Sequence, residues 1–224
     1  MSDEIKLVKA ELREIDGLRN FTKDPVMKAI SKFLLFGEFI VDATDKAFDS
    51  FQQSKRDELI EIILSNNDVI TTKMVNDVSF IMCYLKVLDA VNRLASNDKV
   101  VYFAHLLKNG FSADNKLDVC CFEEYLYIID TLSYRELQLL VLVYNYTKDR
   151  NKVSDYREYV KWEEVNKAIL SELQIDPVDL NGIYSKLRAM GLLLDGPASF
   201  KVEKAGVTKY FEAIAGIIQI RLES

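Results

Sequence analysis

Three prolines and eight glycines are the only strong chain breakers in these 224 residues, and that scarcity constrains the fold more than any single motif. A sandwich of short strands needs frequent turn formers, whereas the many Leu, Ile, Lys and Glu residues found here favour long helices. The chain is therefore expected to be mainly α. Its composition, 49% hydrophobic and 29% charged, is that of a globular protein with one sizeable core or two small ones.

Residues 1–130 read as an all-helical bundle. Ile5, Val8, Leu12 and Ile15 follow 3-4-3 spacing and line one side of an N-terminal helix with a narrow apolar seam. About two heptads are too few for an autonomous coiled coil, so the seam is expected either to pack on the chain's own body or to join two copies as a homodimer. Asp24 before Pro25 marks the start of a second helix, since proline at the first helical position gives up no hydrogen bond and aspartate caps the open amides. That helix is expected to run to about Gln53. Ser54, with Asp57 three residues on, approximates a capping box and predicts a third, short helix over "KRDELIEIIL".

After "NNDVITT", the segment "KMVNDVSFIMCYLKVLDAVNRLA" carries Val75, Val78, Met82, Leu85 and Leu88 at helical spacing. "SNDKVVYFAHLLKNG" is a further helix, with Ser96 or Asn97 as its cap and Gly110 as a left-handed stop. "LDVCCFEEYLYIIDTL" places Val119, Phe122, Leu126 and Ile129 on one face of another.

The pattern changes in residues 131–224. Ser133 and Glu136 form a capping box ahead of "LQLLVLVYNY", a helix apolar nearly all round and so expected in a core. "TKDRNKVSDYRE" is the best candidate for a mobile loop. Trp162, Val165, Ile169 and Leu173 mark the next helix. Asp176 and Pro177 open the one after it, whose apolar face of Leu180, Ile183, Tyr184 and Leu187 ends at Gly191. "LLLDGPASFKVEK" then sets two short apolar runs around Asp195, Gly196 and Pro197, a hairpin signal.

Three helices, a hairpin and a closing helix form the order of a winged helix, and "LRAMGLLLD...FKVEKAGVTKYFEAI" resembles the end of such domains. The resemblance covers roughly residues 131–215 and implies a winged-helix-like domain with one short β-hairpin; winged helices contact proteins as well as DNA. Residues 1–130 loosely resemble helical domains of uncharacterised bacterial proteins, a likeness that implies no function.

Catalytic chemistry has few places to reside. His105, the only histidine, lies beside Val100, Phe103, Ala104 and Leu107 with no nucleophile at motif spacing, and reads as structural. The sequence lacks the C-x-x-C spacing, the H-E-x-x-H pair, a calcium loop and a phosphate-cradling glycine loop. No metal, cofactor or small-molecule substrate is therefore expected, and a non-enzymatic role is. Cys83, Cys120 and Cys121 are odd in number and two are adjacent, which points to a reducing, cytoplasmic setting. The N-terminus has no signal-peptide core. The densest apolar run, "FLLFGEFIV", is cut by Glu38 and flanked by charge, so no membrane span is expected.

Residues 1–130 hold sixteen Lys and Arg against twenty-two Asp and Glu, whereas residues 131–224 hold thirteen of each. The excess acid lies in the bundle. If the C-terminal part is a winged helix, Asn181, Ser185 and Lys186 lie on the outer side of its third helix where a DNA reader faces base edges, with Lys201 and Lys204 on or near the wing, available for phosphates, and Arg188 and Lys209 adding to a locally positive nucleic-acid-binding set. Five cations are few for that task, and Asp176 and Asp179 place negative charge where phosphate would approach. Two functions remain open: a regulator whose winged helix binds nucleic acid weakly or as a dimer, and a protein-interaction module that uses the winged helix structurally.

Overall fold

In the computed structural model, residues 3–21, 38–65, 70–112, 117–147, 162–194 and 206–218 are described, and among them ten helices and no extended sheet are found. The protein is mainly α. It divides into two compact units, Met1–Tyr127 and Ile128–Ser224. Helices α1 (Asp3–Phe21), α2 (Glu38–Leu64), α3 (Thr72–Val75), α4 (Val78–Arg93) and α5 (Val100–Gly110) lie in the first unit, and α6 (Val119–Thr131) begins there. Helices α7 (Tyr134–Thr147), α8 (Trp162–Leu173), α9 (Pro177–Ala189) and α10 (Lys209–Ile217) lie in the second.

In the N-terminal unit, α2 packs chiefly on α5, and α1 lies against α2, α3 and α4. The seam on α1 is turned inward: Ile5, Val8 and Leu12 are buried within the unit and Ile15 is half-buried. Among the α1 side chains described, Leu7 is the exposed large apolar one.

Four sequence expectations fail here. Ser54 opens no helix, because α2 runs through it to Leu64. Gln52, Lys55, Arg56, Leu59, Ile60 and Ile63 form one continuous buried stripe at helical spacing, and its polar half resembles a break when only apolar periodicity is followed. The segment 73–95 is not one helix. Thr71 caps the short α3, and the Asp77 carboxylate caps α4 by accepting from the amides of Ser79 (2.8 Å) and Phe80 (3.4 Å). That restart puts Phe80, Cys83, Tyr84, Val87, Leu88 and Val91 inside and leaves Val78 71% and Met82 49% exposed. Gly110 is the last helical residue of α5 rather than a left-handed stop; a Cβ there would lie 3.1 Å from Leu117 Cδ1, so the glycine serves close packing. At the other end of α5 the capping position is Lys99, which makes no side-chain cap.

The stripe on α2 meets the carboxyl end of α4. Gln52 Nε2 donates to Asn92 O (3.0 Å), Lys55 Nζ to Leu94 O (2.7 Å) and Arg56 Nε to Asn92 Oδ1 (3.0 Å). The open carbonyls of a helix end are thus satisfied by buried side chains some forty residues away, with positive charge at the negative end of the helix dipole. Arg56 also pairs with the buried Asp16 at 3.3 Å. Burial, and then the Asp16 carboxylate, push the Tyr84 phenol well above its ordinary pKa.

In the C-terminal unit the helix ends are closed locally. Ser133 Oγ accepts from the Glu136 amide (3.2 Å) and Glu136 Oε2 accepts from the Ser133 amide (2.7 Å), both halves of the capping box. Leu137, Leu139, Leu140 and Val143 are buried on α7, which packs on α8, where Val165 and Ile169 are buried. The helix start at Pro25, the loop over residues 148–158 and the hairpin tip over 195–204 lie outside the described residues.

Candidate interaction face on the C-terminal unit

Helix α9 carries the sequence-predicted site, and its ends are built as its sequence implies. Asp176 Oδ1 accepts from the Val178 amide at 2.8 Å with Pro177 in the first turn. At the other end Gly191 takes φ +70°, its amide donates to Arg188 O (2.8 Å) and the Leu192 amide to Leu187 O (2.9 Å). Those two bonds are the Schellman closure, in which a left-handed glycine satisfies the last carbonyls. Leu180, Tyr184 and Leu187 are buried, and Tyr184 Oη donates to Asn166 Oδ1 of α8 (2.7 Å). Burial pushes the Tyr184 phenol up to about 12, so it stays neutral across the physiological range.

Beyond Gly191 the chain returns antiparallel to itself. Leu193 bridges Val207, the Leu194 amide donates to Gly206 O (2.9 Å) and the Thr208 amide to Leu192 O (3.0 Å). Thr208 then caps α10 by accepting from the Phe211 amide (3.2 Å) while its hydroxyl donates to Gly191 O (2.7 Å).

The outer face of α9 consists of Val178, Asn181, Gly182, Ser185, Arg188 and Ala189, all exposed, with Val178 at 80%. Ser185 Oγ donates back to Asn181 O (2.9 Å), which satisfies the hydroxyl within its own helix. Arg188 stands 5.7 Å from the centre of the Tyr184 ring. Lys186 is bonded within the unit. Its ammonium donates to Glu136 Oε1 (2.9 Å), Glu136 Oε2 (2.8 Å) and Thr131 O (3.3 Å), so three acceptors match its three donors. Burial pushes the Glu136 carboxyl up, but the bonds and charge of Lys186 together with the Ser133 amide and hydroxyl outweigh it and hold the pKa below the ordinary value.

Of the remaining predicted cations, Lys209 is exposed at the start of α10, and Lys201 and Lys204 lie outside the described residues. Sequence reasoning found Glu136 as a cap but missed its hold on Lys186, because no local pattern joins residues fifty apart.

The chemistry-bearing residues elsewhere are dispersed. Among the described residues no group of three or more His, Cys, Asp or Glu is arranged to hold a metal ion, and no helix is long and apolar enough to cross a membrane. His105 is half-buried on α5. Cys83 is a buried thiol that desolvation, with Glu123 adding to it, pushes up to about 11, leaving little thiolate to react. Cys120 and Cys121 also carry free thiols.

No family model matches the chain, and neither a curated protein nor a solved structure matches it.

Proposed function

We propose that the protein is a non-enzymatic regulatory module whose C-terminal unit is winged-helix-like and docks a protein partner through the outer face of α9. The order α7, α8, α9, an antiparallel return at Leu193 and Val207, then α10 supports the winged-helix reading. The observation that carries the docking reading is the bonding of Lys186 to Glu136 and Thr131. With that ammonium occupied, the face is made of small, uncharged residues plus Arg188, and Asp176 and Asp179 stand at the end where a phosphate would seek the helix dipole. Such a surface suits close packing against a protein better than tracking of a nucleic-acid backbone, which draws its affinity from several unoccupied cations.

Titration of the full chain with a mixed-sequence duplex of roughly 20 base pairs at about 50 mM salt tests the reading. The expected dissociation constant stays above about 0.1 mM, weaker than ordinary non-specific binders. A tighter, salt-dependent constant that weakens when Lys201, Lys204 and Lys209 are changed to Ala transfers the assignment to nucleic acid.

A further inference from the structure

We infer that Glu136 is a specificity-determining residue that keeps polyanions off the α9 face by occupying Lys186. The inference rests on the reading of α9 as the docking face and adds how that face rejects the wrong class of ligand. Position 186 is the one lysine position on α9. Its ammonium lies against both oxygens of a carboxylate whose side chain is only 10% exposed, and against the Thr131 carbonyl. A phosphate approaching from solvent must displace this partner or add a negative charge beside it. Either route removes the counterion release that gives a lysine its value toward nucleic acid. Discrimination by an occupied cation is a form of selection against a competitor, achieved without any contact to the favoured partner.

Glu136 also closes the capping box, so its two roles have to be separated. Glutamine does this: it keeps an acceptor oxygen for the Ser133 amide, as glutamine does in other capping boxes, and removes the charge that neutralises Lys186. The probe is the same mixed-sequence DNA duplex, titrated into the full chain over a range of low salt concentrations. Glu136→Gln is expected to bind it roughly three- to tenfold more tightly than the wild type, with log K against log salt steeper by about 0.9, one additional phosphate contact. Adding Lys186→Met to Glu136→Gln is expected to return both quantities to wild-type values. Equal affinity and slope in Glu136→Gln and wild type, with no detectable gain, overturns the inference, as does a gain that survives Lys186→Met.

A measurement on the unmodified protein holds even if a variant folds poorly. Lysine acylation followed by mass spectrometry should label Lys186 more slowly than Lys209, and added duplex should leave Lys186 labelling unchanged. Protection of Lys186 by the duplex in the wild type overturns the inference. A wild-type dissociation constant well below 0.1 mM sinks the docking reading itself. The ratio between wild type and Glu136→Gln decides the role of Glu136 separately.

Discussion

The two units differ in how far away the partners of their helix ends lie. In the C-terminal unit the caps come from within a few residues: Ser133 with Glu136, Asp176 with Pro177, Gly191 at the end of α9, Thr208 before α10. In the N-terminal unit Thr71 and Asp77 also cap locally, but the end of α4 is satisfied by Gln52 and Lys55, buried side chains from a helix well upstream, while Arg56 beside them holds the Asn92 side chain. A local cap forms as soon as its own helix does. A long-range cap forms only when two helices have docked, and it leaves charges stranded in the interior if either partner is removed. The N-terminal unit should therefore respond more steeply to loss of a polar side chain than the C-terminal one.

The largest effect is expected at Arg56. Arg56→Leu leaves the buried Asp16 carboxylate without its cation and should lower stability by about 3–5 kcal/mol in urea unfolding. Pairing it with Asp16→Leu should recover most of that loss, since an apolar pair of similar volume often replaces a buried ion pair at little cost. If the single change costs no more than a surface substitution, the contrast between the units is wrong.

Gly191→Ala comes next, at about 1–2 kcal/mol, because a side chain at φ +70° strains the backbone and nothing but the Schellman closure is at stake. Glu136→Gln should cost about 1 kcal/mol, since Lys186 is partly exposed and its pairing is screened. The wild-type advantage over Glu136→Gln should depend on pH in a definite direction. The native carboxyl is held below its ordinary value of 4.5, so the advantage is fully present above that pH and disappears as pH falls through the depressed native value. An advantage that persists unchanged in acid would remove the charge of Glu136 from the account.

The smallest effect has the opposite sign. Gly182 sits inside α9 with nothing within 4 Å of where a Cβ would stand, so Gly182→Ala should stabilise the fold by about 0.5–1 kcal/mol on propensity alone. Under the docking proposal the same change weakens partner binding, because the added methyl stands on the outer face.

What could be read directly from the chain follows the same division. Asp176, Pro177, Gly191 and the box of Ser133 and Glu136 were legible because each works through a backbone group within three or four residues. One failure lies where distant contacts decide, and another where a local cap interrupts the apolar period. Ser54 has the form of a cap but sits within α2, since the polar residues beside it are buried against α4. Val78 and Met82 have the spacing of a core face, yet Asp77 restarts the helix and turns them outward. The candidate site divides likewise: the exposed positions of α9 follow from its periodicity, while the occupation of Lys186 by Glu136 does not.

By itself, then, the sequence determined that the protein is mainly helical, where α7 begins and where α9 begins and ends, because scarce glycine and proline, apolar period and caps act over one or two turns. Tertiary structure alone decided which polar residues are buried and which cation is occupied. Those outcomes depend on the pairing of Arg56 with Asp16 and of Lys186 with Glu136, whose strength comes from charges brought out of water together. Nothing in the chain before folding holds either pair close.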